Sequence, residues 1–225
     1  MKNNKIIIII CVIIIILSGI VVYFKTNYYK TEEAMFELTQ NINNYSNLHV
    51  HTIETSDQYG ILEIDRYWKD NEFNEKNSIN NQNDYVYINS DEKVYINVSE
   101  KDKKIYIQEN DDANSRNIIY KSENFTGIFV VDINNINQDY KYCGVENINN
   151  KECYKIFVKN KSQNDEATLW IEKKTGFVLK QKSLFDGELV TFENTYEIGN
   201  VTDWDIKKPN MQFYRDNGEY EIINK

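Results

Sequence analysis

The sequence predicts a mostly β domain, an antiparallel meander curled around helical segments, behind one N-terminal transmembrane helix. An apolar run fills residues 6–24, segments with alternating apolar residues follow from residue 48 onward, and short polar turns separate these segments. The chain has 225 residues, of which 13% are aromatic, so it is long enough for one domain with its own core and unlike a disordered chain. Short connections between successive strands favour antiparallel pairing.

The N-terminal segment has the length and composition of a membrane-spanning helix. Residues 6–24 are apolar except for Ser18 and Gly19. At about 1.5 Å per residue the run spans roughly 29 Å, close to the thickness of the hydrocarbon core of a bilayer. Two lysines precede it, which favours a cytoplasmic N terminus. We therefore predict a cytoplasmic stub at 1–5, a signal anchor at 6–24 and an extracytoplasmic domain at the cell membrane.

Two other N-terminal arrangements compete with a permanent anchor. A signal peptide has a shorter apolar core and a small-x-small cleavage site, and no A-x-A pattern follows the run here. A bacterial lipobox needs a cysteine after Leu17-Ser18-Gly19, where this sequence has Ile20. Lipidation is therefore not predicted, and a cleaved signal peptide remains the alternative to the anchor.

Strand patterns form two series along the extracytoplasmic part. Each predicted strand is a short segment rich in β-branched and aromatic residues between polar turns. The first series is Leu48–Ile53, Ile61–Trp68, Tyr85–Ile88, Val94–Val98 and Ile105–Gln108. The second series is Lys141–Asn147, Glu152–Lys159, Ala167–Lys173, Phe177–Leu184 and Leu189–Ile198. The polar segment after Pro209 does not favour one element.

Two segments have helical periodicity. Met35, Leu38, Ile42 and Tyr45 recur at helical spacing behind Thr31, a suitable N-cap residue. Between the two strand series, apolar residues of Phe125–Ile136 fall on one face of a helix. An amphipathic helix among strands must pack on a face of the sheet, so we expect this segment to cover one.

No catalytic constellation is visible in the sequence. His49 and His51 are the only histidines, and they lack both a third metal ligand and a Ser-His-Asp pattern, so we interpret them as a solvent-facing polar pair. The glycines are scattered singly, unlike those of a phosphate-binding loop. The net charge of −9 has the wrong sign for nucleic acid. We therefore predict a protein that is not an enzyme, with no metal site, no cofactor and no nucleic-acid partner.

Cys143 and Cys153 flank a predicted hairpin outside the membrane, where disulfides persist if the compartment is oxidising. A three-residue loop centred on Ile148 would place the two cysteines opposite each other and allow a bridge. A two-residue turn at Asn149-Asn150 would instead pair Cys143 with Ile156 and place the cysteines on opposite faces. A structural disulfide and two buried thiols are thus both consistent with the sequence.

Five segments resemble the LolA/LppX-type half-barrel superfamily, in its membrane-anchored branch from Gram-positive bacteria. They are Arg66–Phe73, which lacks the proline of the family motif, Tyr85–Tyr95, Gly144–Tyr154, Leu169–Lys180 and Asn200–Pro209. The similar region covers residues 30–210. These motifs are specific to a fold, and none of them marks a catalytic residue.

The resemblance implies an α+β, mostly β fold: a curved antiparallel unclosed β-barrel, or half-barrel, with helices covering its concave face. The domain would occupy 25–210, with Phe125–Ile136 as a lid helix and 211–225 as a C-terminal tail. The aromatic residues that a ligand in the concavity would contact are the candidate ligand-binding residues. They are Trp68, Tyr85, Tyr87, Phe125, Phe129 and Trp170. For the strand residues Trp68, Tyr85, Tyr87 and Trp170, packing in the core is the alternative.

The same resemblance implies two functions. Some relatives bind acyl chains or lipidated proteins in the concavity, and others sense envelope stress by contacting a membrane protein. We expect a membrane-tethered binding module that holds a lipid, a lipoprotein or another apolar ligand. The alternative is a regulatory protein whose barrel is filled by its own side chains and which works through a membrane protein partner.

Overall fold

The computed structural model describes residues 13–23, 46–58, 60–80, 82–109, 138–161, 165–185 and 187–224. Residues 13–23 are helical, and within these ranges no helix has both the length and the apolar character needed to cross a bilayer. The two helices predicted at 31–45 and 125–136 lie outside the described residues, and so do Phe125 and Phe129.

The described residues form one twelve-stranded sheet. Its strands are β1 (Asn47–Ser56), β2 (Gly60–Lys69), β3 (Glu72–Ile79), β4 (Gln82–Asn89), β5 (Val94–Ser99), β6 (Lys104–Glu109), β7 (Gln138–Ile148), β8 (Lys151–Asn160), β9 (Glu166–Glu172), β10 (Val178–Phe185), β11 (Glu188–Ile198) and β12 (Glu221–Asn224). Their order is β12-β6-β5-β4-β3-β2-β1-β11-β10-β9-β8-β7, and within the described ranges β12 and β7 do not pair. The predicted unclosed sheet is therefore confirmed, and its ladders are antiparallel except for the one between β12 and β6.

The strand β1 joins two meanders, β2–β6 on one side and β7–β11 on the other. Leu48 pairs with Trp68 of β2 and with Ile198 of β11, and both ladders are antiparallel. Each predicted strand is present. The strand β3 was not predicted, because its sequence Glu-Phe-Asn-Glu-Lys-Asn-Ser-Ile has no apolar alternation.

Of the two alternatives for Cys143 and Cys153, the disulfide is not formed: both are free thiols, the first exposed and the second buried. Asn149 and Asn150 have φ of 50° and 64°, which fits a two-residue type I′ hairpin turn. This turn pairs Cys153 with Glu146, and a bulge between Tyr142 and Gly144 leaves Cys143 outside the regular ladder. The two sulfur atoms therefore cannot meet across the hairpin.

We predict that the two thiols differ in reactivity. In the full chain carrying Cys11→Ser, a maleimide reagent should add once to the folded protein and twice after unfolding in urea, as counted by intact mass. Cys143 is accessible, whereas burial raises the pKa of Cys153 to about 11 and shields its sulfur. If the protein takes up maleimide only after reduction, Cys143 and Cys153 form a disulfide and the assignment of free thiols is wrong.

The segment predicted as a polar tail contributes a short helix and the last strand. Asn210 caps the helix Met211–Asn217 by accepting hydrogen bonds from the amides of Gln212 and Phe213. Gly218 ends the helix with φ of 62°, the left-handed conformation that favours glycine. The strand β12 then pairs in parallel with β6, so the tail extends the sheet at its edge.

Candidate ligand-binding face

The strand registers assign side chains to two faces of the sheet. Directly paired residues share a face, and neighbours along a strand alternate between faces. Leu48 pairs with Trp68, Trp68 with Phe73, and Phe73 with Ile88. We call the face that carries these four side chains the core face, because the largest buried apolar cluster lies on it. The buried members of this cluster are Leu48, Val50, Trp68, Phe73, Val86, Ile88, Tyr154, Ile156, Val158, Ala167, Leu169, Ile171, Phe177 and Val178.

The core face is apolar where β1 begins and mixed where β1 ends, because polar side chains there lie beside apolar ones such as Phe192 and Val190. We call this mixed end the polar half. Along β1, the inward side chains are Leu48 and Val50 and then Thr52, Glu54 and Ser56, all less than a tenth exposed. Buried polar groups normally need partners, because losing water without a new hydrogen bond is costly. The polar half therefore depends on a hydrogen-bond network.

An ion pair lies in the polar half. The Arg66 Nε donates to Glu75 Oε2 at 2.7 Å, and both side chains are less than a tenth exposed. The other carboxylate oxygen of Glu75 accepts from Asn77 Nδ2 at 2.9 Å. The charges remain buried because each is paired and hydrogen-bonded.

Thr52 and Asn194 extend the network to the neighbouring strands. The Thr52 hydroxyl accepts from an Arg66 guanidinium nitrogen at 3.1 Å and donates to Asn194 Oδ1 at 2.8 Å. Asn194 Nδ2 and the Tyr196 hydroxyl both donate to the carbonyl oxygen of Val178, at 2.8 and 2.7 Å. One continuous chain of hydrogen bonds thus connects β3, β2, β1, β11 and β10.

Gln181 carries an acceptor that the fold does not use. Its Nε2 donates to Ser183 Oγ at 2.7 Å, and both residues are fully buried. Its Oε1 is also buried and has no hydrogen-bond partner among the described residues. A buried acceptor without a partner costs about 1–3 kcal/mol. A ligand with a hydrogen-bond donor would remove that cost, so Gln181 marks the point on the core face where a polar group fits best.

Local sequence patterns do not predict this polar half, although one signal for it exists. Arg66 and Glu75 stand at mirror positions around the turn at Asp70 and Asn71, and opposite charges at such positions form a cross-strand pair. Gln181 has no comparable signal. Its burial depends on β10 pairing with both β9 and β11.

The sheet divides the predicted ligand-binding aromatics between its two faces. Trp68 lies on the core face, 4.9 Å from the Phe73 ring. Tyr85, Tyr87 and Trp170 lie on the opposite face, as the registers of their strands require. Only Trp68, of the four predicted aromatics that the structure describes, is therefore placed to contact a ligand on the core face.

Each aromatic on the opposite face has partners within the fold. Tyr85 and Tyr87 pack in a cluster with Val201 and Ile206 of the C-terminal segment. The Tyr87 hydroxyl donates to Glu72 Oε1 at 2.7 Å, and burial together with this bond raises the pKa of Tyr87. Trp170 Nε1 donates to Glu146 Oε2 at 2.7 Å. These contacts are those of packed structural residues.

His49 and His51 also lie on the opposite face, where they share one carboxylate. His49 Nε2 and His51 Nδ1 lie 3.0 and 2.9 Å from Asp65 Oδ1, and the His49 ring stacks on Tyr67 at 4.4 Å. Within the described ranges, no group of three or more His, Cys, Asp and Glu side chains is arranged to hold a metal ion. The two histidines are thus a half-buried pair that fastens β1 to β2.

We predict that Asp65→Asn lowers the free energy of unfolding by about 1–2 kcal/mol at pH 7, because it removes charge-assisted hydrogen bonds. Burial raises the pKa of Asp65, but hydrogen bonds and charge interactions with His49 and His51 together bring it below the ordinary 3.8. The carboxylate therefore stabilises the fold above pH 3.8, and this contribution disappears as the pH falls through the folded-state pKa.

Urea unfolding of wild type and variant at several pH values measures this difference. The gap between the two should be constant near neutrality and close below pH 3.8. A gap that stays the same down to the lowest pH would show that Asp65 acts through packing and not through charge.

The opposite face also carries an open cavity of about 450 Å³, lined by Ile61, Glu63, Ser78, Asn80 and Asn83. Ser78 and Asn83 hydrogen-bond each other at 2.8 Å, so part of the polar lining is already satisfied. Sites for apolar ligands are enclosed and lined mainly by apolar side chains. This cavity does not fit that description, and the core face remains the candidate site.

Solved structures share the unclosed sheet that the resemblance in the sequence implied. The chain matches no family model and no curated protein. Among solved structures, it is similar to an uncharacterized conserved protein from Thermus thermophilus, with a TM-score of 0.54 and 12% identity over 87% of this chain and 99% of that one.

It is also similar to MucB in the MucA/MucB complex of Pseudomonas aeruginosa, with a TM-score of 0.52, 11% identity and coverage of 80% of this chain. The match spans 61% of the MucB chain. A LolA superfamily protein from Nitrosomonas europaea matches at a TM-score of 0.30 and 9% identity, over 78% of this chain and 97% of that one. At these identities, the similarity to the Thermus thermophilus protein and to MucB concerns the fold alone.

Proposed function

We propose that this protein is a membrane-tethered extracytoplasmic binding module, whose core face holds a lipid or another amphipathic ligand. The division of the core face supports this most strongly. Its apolar half suits an acyl chain, because burying apolar surface drives binding. Its polar half contains the buried, unpartnered Oε1 of Gln181, which suits a head group with a hydrogen-bond donor.

The core face is, in this proposal, the concave face of the half-barrel. The predicted helices at 31–45 and 125–136 cover it, with Phe125 and Phe129 as further ligand contacts. An amphipathic helix needs an apolar surface to pack on, and the core face carries the largest apolar cluster of the described residues. The lid segment would separate the ligand from water.

The tether is the apolar segment at 6–24, with the domain on the outer side of the cell membrane. Its described part, residues 13–23, exposes apolar side chains in every direction. The exposed fraction is 45–68% for the side chains of Ile13 to Leu17, Ile20, Val21 and Val22. A helix that is apolar all round is buried in a large core or in a membrane, and lipid is the environment that this one fits.

Two observations favour a second function, regulation through a membrane protein partner. MucB, which shares this fold, has been crystallised in complex with MucA. In addition, large side chains such as Leu48 and Phe73 are completely buried on the core face. A face filled by its own side chains would leave partner binding to other surfaces.

Native mass spectrometry of the full chain, released from membranes in mild detergent, separates the two functions. A ligand held in the core face gives a lipid adduct that survives stripping of the detergent and is identified by fragmentation. No retained lipid, together with one co-purifying membrane protein, would overturn the binding module in favour of the regulatory role.

A further inference from the structure

Trp204 is the most exposed large apolar side chain among the described residues, at 80%. We propose that the turn carrying Trp204 docks onto the lipid head-group layer of the membrane that holds the N-terminal tether. The inference rests on the proposed tether and adds a second point of membrane contact. Docking at this turn would fix how the half-barrel sits on the bilayer.

The turn is held in place by contacts that do not involve the Trp204 side chain. Asp205 Oδ2 accepts from the amide and the hydroxyl of Thr202, both at 2.7 Å, and the Asp205 carbonyl accepts from Asn74 Nδ2 at 3.1 Å. Lys69 forms an ion pair with Asp203. The indole therefore projects from a rigid platform, which costs less entropy on binding than a flexible loop would.

This platform stands at the end of the sheet where β1 begins. The Asn47 side chain bonds both polar groups of the Val201 backbone, at 2.8 and 3.0 Å. The Gly199 amide donates to the Asn47 carbonyl at 3.0 Å, and the Asp70 amide donates to the Ser46 carbonyl at 2.7 Å. The chain thus passes from its N-terminal segment into the sheet beside the turn that carries Trp204.

The chemistry of the turn matches the head-group layer. Lys207 Nζ lies 5.0 Å from the centre of the Trp204 ring, and tryptophan with neighbouring lysine is typical of the membrane–water interface. Although the net charge of the chain is −9, two acidic groups here are paired with lysine, Asp203 with Lys69 and Glu92 with Lys208. Local repulsion from anionic lipids is therefore reduced.

A second apolar side chain projects from the same segment. Phe213 is 57% exposed, although its neighbour Tyr214 packs against the opposite face of the sheet. Trp204 and Phe213 are thus two exposed aromatic rings in one C-terminal segment. A lipid surface accommodates such rings without a complementary pocket.

Tryptophan fluorescence tests the docking directly. The full chain is reconstituted in phosphatidylcholine vesicles with brominated acyl chains, which quench only fluorophores at the lipid. Trp68 and Trp170 are 2% and 7% exposed, so we expect most of the quenching to come from Trp204. It should be lost in Trp204→Phe and kept in the matched control Trp170→Phe.

Flotation of the same vesicles separates failure of the docking from failure of the tether. If the chain floats with the vesicles but Trp204 is quenched by aqueous iodide and not by bromine, the docking is overturned and the tether stands. If the chain does not float, tether and docking are both overturned.

Discussion

Arg66→Ala should lower the free energy of unfolding by about 3–5 kcal/mol, because the Glu75 carboxylate would remain buried without its counter-ion. It would also leave the Thr52 hydroxyl without the guanidinium donor that it now has at 3.1 Å. Urea unfolding of the detergent-solubilised full chain, followed through the buried Trp68 and Trp170, measures the loss.

Two controls isolate the buried charge as the cause. The double variant R66M/E75L removes both charges and should recover most of the stability, because an apolar pair of similar volume can replace a buried ion pair. Glu193→Gln breaks the more exposed pair with Lys180 and should cost less than about 1 kcal/mol. A loss below about 1 kcal/mol for Arg66→Ala would mean that the polar half of the core face is hydrated.

Phe73→Ala should lower the free energy of unfolding by about 3–5 kcal/mol, since it opens a cavity in the core face. Phe73 is completely buried, and its ring lies 4.9 Å from that of Trp68. The matched control is Phe213→Ala, at a position 57% exposed, where a change of about 0.5 kcal/mol or less is expected. Equal losses at the two sites in urea unfolding would contradict the assignment of Phe73 to the core.

Strand alternation predicted most of the sheet, because one face of each strand is buried and the other is wetter. The strand β3 was not predicted, because its core-face residues include Glu75 and Asn77 in place of apolar ones. Those residues are tolerated only because Arg66 and Thr52 lie opposite or nearby, which a local pattern does not show. The strand β12 was not predicted for a different reason: its parallel pairing with β6 brings together residues far apart in sequence.

The candidate site was harder to predict than the fold. Alternation shows that Tyr85 and Tyr87 share a face, but assigning that face relative to Trp68 requires the registers of β2, β3 and β4 in succession. Because β3 was not predicted, the registers of β2 and β4 could not be related to each other. The hairpin at Asn149 and Asn150 shows the same sensitivity, because a change of loop length decides whether Cys143 faces Cys153.

A titration tests whether the core face holds an amphiphile with a hydrogen-bond donor in its head group. Native mass spectrometry would count monoacylglycerol bound to the full chain, beside a fatty acid methyl ester of equal chain length that lacks a donor. Gln181→Leu is the matched variant, because it removes the unpartnered acceptor and keeps the side-chain volume.

We expect the wild type to bind one monoacylglycerol more tightly than the ester. Gln181→Leu should unfold at a higher urea concentration yet lose about tenfold in affinity for monoacylglycerol, as the loss of one buried hydrogen bond implies. Failure of the wild type to retain either amphiphile would contradict the proposal that the core face holds one. Equal affinity of wild type and variant for monoacylglycerol would contradict it as well.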